Sequence, residues 1–343
     1  MEAVMTNMNS NVLQLREMLS SSPLLFPLEW NRLSQQVVFI GLKEADYQQA
    51  SFLDDRVDQV GAVKGLVPFE LISELPQLRA KRCNFIFHIS HCGSTLLSRL
   101  LGTHPHCFSV REPKILRSFD SQDETEIQWL FRLLARTFHP EQISLIKATS
   151  YVSQYASTWM SKLPESKAIL LSIGIADFLA CVLDGSIVDI ENHLPSRIKR
   201  LTNLGIQFDQ PSSGLRIGQA TALSWLCEML TIESIADRFP DRTLRVRFEN
   251  LLNHPDACID KNAEFVPFPR PYPIWSEQAS WKEYAKRPGV FYDKHMRSFL
   301  LEQAGERFAE EIQDGIEWLR SLNDPRVAKI LEGELEADPR SCR

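Results

Sequence analysis

The segment from Cys83 to Leu101 constrains the fold of this chain more than any other part of the sequence. It consists of CNFIFHISHCGSTLLSRLL, an apolar run that breaks into a short polar turn around Gly93 and resumes with apolar residues at helical spacing. This pattern predicts a strand, a tight loop and the first turn of a helix. Backbone N–H groups in such a loop point at one spot, and the helix dipole adds partial positive charge there. The sequence therefore predicts a binding site for an oxyanion such as phosphate or sulfate.

Two well-known phosphate-binding patterns do not fit this loop. The P-loop of nucleotide hydrolases, GxxxxGK[ST], would need glycine at His88 and lysine at Ser94. A tyrosine-phosphatase loop that begins at Cys92 fails as well, because six residues separate this cysteine from Arg99 instead of five. The hydroxyl groups of Ser94 and Thr95, at the start of the predicted helix, are placed to bind the oxyanion directly.

Composition and charge place the chain among ordinary globular proteins. Its 343 residues are 44% hydrophobic and 24% charged, which is enough to bury a substantial core. The net charge of −6 argues against a dedicated nucleic-acid or membrane-surface binder, so we expect neither partner. Seven scattered cysteines without metal-ligand spacing suit a reducing compartment, and neither a leader peptide nor a spanning run of about 20 apolar residues is visible. We therefore expect a cytoplasmic protein without a metal ion.

Short apolar runs alternate with helical patterns from Lys81 onward, which predicts an α/β fold with a parallel β-sheet flanked by helices in three layers. The predicted strands are Asn84–Ile89, Cys107–Val110, Ser144–Lys147, Ala168–Ser172 and Thr243–Arg247. The predicted helices include Glu126–Phe138, Asp177–Leu183, Leu215–Phe239 and a terminal region from about Asp293 to Leu335. We expect one domain over residues 81–343, and an N-terminal extension over residues 1–80 that forms a cap or an edge hairpin around the strand-like run at 36–40.

The six residues between the first predicted strand and its helix are Ser90, His91, Cys92, Gly93, Ser94 and Thr95. They resemble the 5′-phosphosulfate loop of the sulfotransferase family, Pro-Arg/Lys-Ser-Gly-Thr-Thr, and the family's basic residue falls on His91. A longer match at Leu244–Leu252 is similar to the family's Val-Arg-Tyr-Glu-Asp-Leu segment. In that segment we expect a structural role first for Arg247, in a strand, and for Glu249, near a helix start.

The resemblance implies an activity and a role for each site residue. Sulfotransferases transfer a sulfuryl group from 3′-phosphoadenosine 5′-phosphosulfate (PAPS), the co-substrate, to an acceptor hydroxyl or amine of a small molecule, glycan or peptide. Glu112 matches the general base that takes the acceptor proton, and Lys147 matches the lysine that holds the sulfuryl oxygens. His91 would contact the bridging oxygen, while the loop around Gly93 would bind the 5′ group. A solvent-facing Glu112 and a solvated Lys147 at a strand end are the structural alternatives.

The family's 3′-phosphate motif is absent from the corresponding place. Aligning Asp177 with the family's Arg-Asp-Pro-x-Asp segment places Ile173 at the arginine and Cys181 at the serine that follows it. Neither side chain can supply the charge-assisted hydrogen bonds that a phosphate needs. Either the ligand is not PAPS, or other cations take their place, and the candidates are Arg197, Lys199 and Arg200 or, near the C-terminus, Lys286 and Arg287.

Three other functions remain open. The substitutions at Ile173 and Cys181 favour a binding or regulatory protein that keeps the fold and a nucleotide but transfers nothing. A P-loop kinase is another possibility, although Ser94 occupies the position of the kinase lysine. Finally, Cys92 beside His91 at a helix start could act as a nucleophile, but the sequence shows no partner that would orient it.

Overall fold

The computed structural model describes residues 13–60, 63–75, 82–119, 123–208, 214–285 and 289–336. The first of its two sheets is antiparallel and has the strand order β1-β2-β3, with β1 at Leu25–Asn31, β2 at Gln36–Gly41 and β3 at Lys64–Pro68. Phe26, Leu28 and Trp30, which share one face of β1, are all buried, as expected for a strand with one face on a core, and Pro27 between them is buried as well. The strand-like run at 36–40 is thus the middle strand of this sheet.

The second sheet has five parallel strands in the order β5-β6-β4-β7-β8, which confirms the predicted α/β class. Its members are β4 (Cys83–His88), β5 (Cys107–Arg111), β6 (Ile143–Lys147), β7 (Ala168–Ser172) and β8 (Thr243–Arg247). Every residue of β4, β5 and β7 is buried, because helices cover both faces of a parallel sheet. The predicted strands agree with these bounds to within one residue.

Helices occupy most of the remaining described chain. They are α1 (13–21), α2 (Glu44–Gln49), α3 (Phe69–Ser73), α4 (Ser94–Leu101), α5 (Glu124–Leu134), α6 (Ala156–Lys162), α7 (Ile175–Leu183), α8 (Val188–Asn203), α9 (Ile217–Arg238), α10 (Phe248–Asn253), α11 (Pro255–Phe265), α12 (Lys294–Arg307), α13 (Ala309–Ser321) and α14 (Pro325–Glu336). Helix α9 is buried on nearly all sides, the pattern of a core helix. No helix in the described ranges is long and apolar enough to cross a membrane.

Helix boundaries differ from the predicted ones where capping decides them. The predicted helix Glu126–Phe138 begins at Glu124, because the Asp123 carboxylate accepts a hydrogen bond of 2.9 Å from the Glu126 N–H and caps the first turn. It ends at Leu134, well before Phe138. The predicted helix start at Asp177 lies two residues too late, since α7 begins at Ile175. Apolar spacing alone predicted neither the ends of α5 nor the start of α7.

The contacts of the chain group it into two compact units. The first unit contains Met1–Ile86, Thr95–Ala168 and Ala263–Pro273, and therefore holds both Glu112 and Lys147. The second contains Phe87–Ser94, Ile169–Asn262 and Ile274–Arg343, and therefore holds the turn of the predicted anion loop. The predicted division into residues 1–80 and 81–343 stays a prediction.

Candidate active site

The loop that follows β4 turns through backbone conformations that are rare for residues with side chains. Ser90 has φ 77°, His91 has φ 51° and Gly93 has φ 73°, all in the left-handed region, and α4 starts at Ser94. This region is sterically costly for non-glycine residues, and residues that adopt it concentrate at ligand-binding sites. The strand, the tight loop and the helix start that the sequence predicts are all present.

Side chains within the second unit hold this loop in place. Nδ1 of His88, the last residue of β4, accepts a hydrogen bond of 3.1 Å from the Ser90 N–H. The Cys92 thiol is fully buried and donates to the Leu171 carbonyl at 3.4 Å. A buried thiol cannot reach a substrate, so the geometry removes the basis for a nucleophilic Cys92. The half-buried ring of His91 packs edge-on against Phe178, with 6.2 Å between centroids.

Gly93 is the one position of the loop at which a side chain has no room. A Cβ built there would lie 2.0 Å from Cε2 of Phe248, the first residue of α10. Phe248 is itself buried, and the guanidinium carbon of Arg297 lies 4.9 Å from its ring centroid. Arg297 in turn pairs with Asp177 at 3.0 Å. The sequence did not single out Arg297, because nothing in the pattern of α12 marks it.

The segment Leu244–Leu252, which runs from β8 into α10, has the structural role that the sequence predicts. Oε1 of Glu249 accepts a hydrogen bond of 2.9 Å from the N–H of Gly174, the residue that precedes α7. Nε of Arg247 lies 3.4 Å from the other carboxylate oxygen of Glu249. Together these contacts fix the backbone that follows β7, so Glu249 ties the start of α10 to the start of α7.

The side chains aligned with the family's 3′-phosphate motif do not provide a charged site. Ile173 is fully buried and its carbonyl accepts a hydrogen bond from the Trp225 indole at 3.0 Å. Among the predicted substitutes, Arg197 and Arg200 both pair with the buried Glu228 at 3.2 Å. Lys199 is exposed on α8, and Lys286 and Arg287 lie outside the described residues.

In the first unit, Glu112 and Lys147 form an ion pair at the ends of neighbouring strands. The Lys147 ammonium donates to Oε1 of Glu112, and the Glu112 N–H donates to the Lys147 carbonyl at 2.7 Å. The Lys147 side chain is only 1% exposed and that of Glu112 12%, so neither of the solvent-facing alternatives holds. Glu112 also has φ 48°, in the left-handed region. The strand ends at which the sequence placed these two residues do bring them together.

Further charges surround this pair in the first unit. An Arg117 nitrogen lies 3.8 Å from Glu112 and 3.1 Å from the Asp54 carboxylate, which also pairs with Arg56 at 2.5 Å. Burial would raise the pKa of Asp54, but its hydrogen bonds to Arg56 and the charges of Arg56 and Arg117 outweigh that effect and lower it. The sequence did not single out Asp54 or Arg117, whose contacts join segments far apart along the chain.

A cavity of about 860 Å³ lies elsewhere in the second unit, lined by residues of β7, α9, β8 and α14 among others, including Leu170, Met229, Arg245 and Ile330. Among the described residues that the sequence predicts to bind the donor or to act in catalysis, none lines this cavity. In the part of the chain that the structure covers, no cluster of three or more histidine, cysteine, aspartate or glutamate side chains is placed to hold a metal ion.

Fold and site together define a class: an α/β protein whose middle strand leads through a tight, left-handed loop into a helix. Three solved structures that match the chain are a sulfotransferase domain from the curacin biosynthetic pathway, a sulfotransferase domain from the Synechococcus PCC 7002 olefin synthase and a sulfotransferase from Alicyclobacillus acidocaldarius. Their identities to this chain are 13%, 15% and 14%, and their TM-scores are 0.39, 0.42 and 0.36. The matches cover 68%, 68% and 69% of this chain and 98%, 97% and 96% of the others.

No protein-family model matches the sequence, and no curated protein matches it. The family that the motifs of the sequence resemble is thus also the family of these three solved structures.

Proposed function

We propose that this chain is a sulfotransferase that moves a sulfuryl group from PAPS to a hydroxyl or amine of a small molecule, glycan or peptide. The observation that carries the proposal is the Glu112–Lys147 ion pair, a buried cation and a partly buried carboxylate at the ends of two adjacent parallel strands. Ligands of open α/β sheets bind at that edge. A protein that only held a nucleotide would have no need of a base there.

The loop after β4 supplies the proposed contacts to the donor. Its hydroxyl side chains, Ser94 and Thr95, stand in the first turn of α4, where backbone N–H groups and the helix dipole favour an anion. In this proposal they bind the 5′ group together with Gly93, while His91 contacts the oxygen that bridges phosphorus and sulfur. Cys92 contributes through its backbone, since its thiol is committed to the Leu171 carbonyl. Ser90 contributes through its hydroxyl, since its N–H donates to Nδ1 of His88.

The proposed reaction is a single displacement at sulfur. The acceptor oxygen or nitrogen forms a bond to sulfur while the bond between sulfur and the bridging oxygen breaks, which releases adenosine 3′,5′-bisphosphate. Glu112 takes the proton that the acceptor loses, and Lys147 balances the charge on the sulfuryl oxygens. As in phosphoryl transfer, most of the catalysis would come from alignment and charge stabilisation. Lys286 and Arg287 stay predicted ligands of the 3′-phosphate.

Titration calorimetry with adenosine 3′,5′-bisphosphate tests the donor site. We expect micromolar affinity, about −8 kcal/mol, and much weaker binding of adenosine 5′-monophosphate, which lacks the 3′-phosphate. Transfer of radiolabelled sulfate from PAPS to a panel of phenols, sugars and tyrosine peptides then tests the reaction. An absence of both binding and transfer would contradict the proposal, and labelling from ATP instead would favour a kinase.

A regulatory protein that binds the nucleotide without transferring anything is the second candidate. The observation that favours it is that Ile173, which aligns with the family's arginine, is an uncharged and fully buried side chain. Binding of adenosine 3′,5′-bisphosphate with no transfer to any acceptor would support this alternative. In either case the proposed location is the cytoplasm, as the odd number of scattered cysteines in the sequence favours.

A further inference from the structure

The segment Tyr47–Arg56 lies against the residues that surround Glu112, and the sequence assigns no chemistry to it. It leads from α2 into a 3-10 turn at Asp55–Val60 and belongs to the same compact unit as Glu112 and Lys147. Its backbone, its charges and one aromatic ring each contact a different part of the ion pair or its neighbours. Together they form a support for the Glu112–Lys147 pair.

The backbone of this segment brackets Glu112 on both sides. The Leu53 N–H donates to the Arg111 carbonyl at 2.7 Å, and the Lys114 N–H donates to the Leu53 carbonyl at 3.0 Å. These two hydrogen bonds therefore lie on either side of Glu112, whose φ is 48°. A glutamate in the left-handed region is strained and persists only where its surroundings enforce it. Leu53, which is buried, supplies that constraint.

The side chain of Arg111 fastens the segment to β5. Its buried guanidinium donates to the carbonyls of Ala50 at 2.7 Å and Gln48 at 3.1 Å, and also to the carbonyl of Tyr47. A buried guanidinium needs such acceptors, because an unsatisfied charged donor is costly in the interior. The segment is consequently held at the strand end from which Glu112 projects.

The charged side chains of the segment influence which cation the Glu112 carboxylate contacts. Asp54 is 4% exposed and holds Arg117 at 3.1 Å, whereas Arg117 remains 3.8 Å from Glu112. Because Asp54 engages Arg117, the shorter contact of Glu112 is the one with Lys147. Replacing Asp54 by an uncharged residue would free Arg117 to compete with Lys147 for the Glu112 carboxylate.

The ring of Phe52 covers the other member of the pair. Its centroid lies 5.3 Å from the Lys147 ammonium and 3.5 Å from the guanidinium carbon of Arg56. An aromatic face at this distance attracts a cation and excludes water from it. The ring thus helps to keep Lys147 dry and paired with Glu112.

We propose that the segment Tyr47–Arg56 is a positioning element of the active site, in which Phe52 shields Lys147 and Asp54 withholds Arg117 from Glu112. Its consequence for turnover rests on the proposed sulfotransferase function. The arrangement itself can be measured without any donor or acceptor, through the chemical accessibility of the Lys147 amine.

Competitive labelling with a trace of acetic anhydride, read by mass spectrometry, compares every lysine in one sample. We expect Lys147 to react slowly relative to the exposed Lys199, and Phe52→Ala to raise its relative rate about tenfold. Phe265→Ala is the matched control, because the Phe265 ring lies 4.8 Å from the ammonium of another lysine, Lys167. The control should raise labelling of Lys167 only.

Competitive labelling of Lys147 also tests the role of the Asp54 carboxylate. Asp54→Asn should raise the labelling rate of Lys147, whereas Asp55→Asn should not, since Asp55 pairs with Lys114 instead. Unchanged labelling of Lys147 in both Phe52→Ala and Asp54→Asn, in variants whose circular dichroism matches the parent, would overturn the proposal. Under the proposed function both variants lower kcat and leave the KM for PAPS nearly unchanged. Altered labelling in a protein that transfers no sulfate would refute the function and keep the positioning role.

Discussion

The ring of Phe248 occupies the space that a side chain on Gly93 would need. Replacing Gly93 by alanine therefore combines a left-handed backbone with a steric overlap, and we expect Gly93→Ala to lower the free energy of unfolding by about 3 kcal/mol. Binding of adenosine 3′,5′-bisphosphate should be lost at the same time, because the loop has to move. Urea denaturation and titration calorimetry measure the two effects.

Gly205→Ala is the control for that change. Gly205 has φ +80°, but a methyl group on its Cα would meet no atom within 4 Å, so only the backbone cost of about 1 kcal/mol applies. The difference between the two variants isolates the contact with Phe248. Equal losses, or unaltered nucleotide binding by Gly93→Ala, would contradict the role of this contact.

Glu112 is expected to be required for turnover. Because Glu112→Gln also leaves the buried Lys147 ammonium without its carboxylate, turnover is compared in protein that circular dichroism shows to be folded under the assay conditions. Glu112→Gln keeps the size of the side chain but cannot accept the acceptor proton, so we expect kcat to fall about 10²- to 10⁴-fold. Steady-state kinetics with PAPS and a working acceptor measures this. Glu165→Gln, on the exposed turn before β7, should leave kcat as it is. A variant at Glu112 with normal turnover would remove this residue from the mechanism.

The buried ion cluster between α8 and α9 should matter for stability far more than its surface counterpart on the same helix. Glu228 is 1% exposed and pairs with both Arg197 and Arg200, so Glu228→Gln leaves buried cations without their carboxylate and should cost about 3–5 kcal/mol. Glu233→Gln breaks a pair with the half-exposed Arg245 and should cost about 1 kcal/mol at most. Denaturant unfolding measures the free energy of unfolding of both variants. Similar losses in the two would contradict the role of the buried cluster.

His104 should make the stability of the protein depend on pH below neutrality. Burial lowers the pKa of His104, an effect that the Pro269 carbonyl opposes and His106 reinforces. The unfolded chain therefore takes up a proton at a higher pH than the folded protein does, and stability is lost as the pH falls from about 6.5 towards the lower folded pKa.

His104→Asn should flatten this dependence, measured as the free energy of unfolding between pH 5 and pH 8 by urea denaturation. The exposed His295 offers the comparison, because His295→Asn should leave the slope unchanged. The prediction fails if His104→Asn keeps the parent's slope over this range.

The parallel sheet could be predicted from the sequence because burial on both faces leaves continuous apolar runs. β7 and β8 have the predicted bounds, and the others shift by a single residue. Helix ends were predicted less well, because a cap such as that of Asp123 depends on one hydrogen bond that apolar spacing does not reveal. The three-stranded antiparallel sheet appeared in the sequence only as its middle strand.

The residues of the candidate site also fall into two groups: those that sequence motifs can identify, and those that only tertiary contacts reveal. Glu112 and Lys147 could be singled out because each lies at a strand end and matches a residue of the sulfotransferase family that the sequence resembles. Asp54 could not, since its contact with Arg117 spans 63 positions and no period or motif links the two. Phe52 and Arg297 were missed for the same reason: their significance lies in partners that only folding brings near.

The hydrogen bonds of Leu53 on either side of Glu112 determine whether the parallel sheet could keep an intact site without the N-terminal residues. A shortened chain that begins after residue 80 would retain all five strands of the parallel sheet. It would nonetheless leave the Arg111 guanidinium without the carbonyls of Gln48 and Ala50, and Glu112 without the bonds that flank it. The N-terminal residues therefore could not be removed or replaced without consequence, because their hydrogen bonds hold the backbone around the proposed base, Glu112, in place.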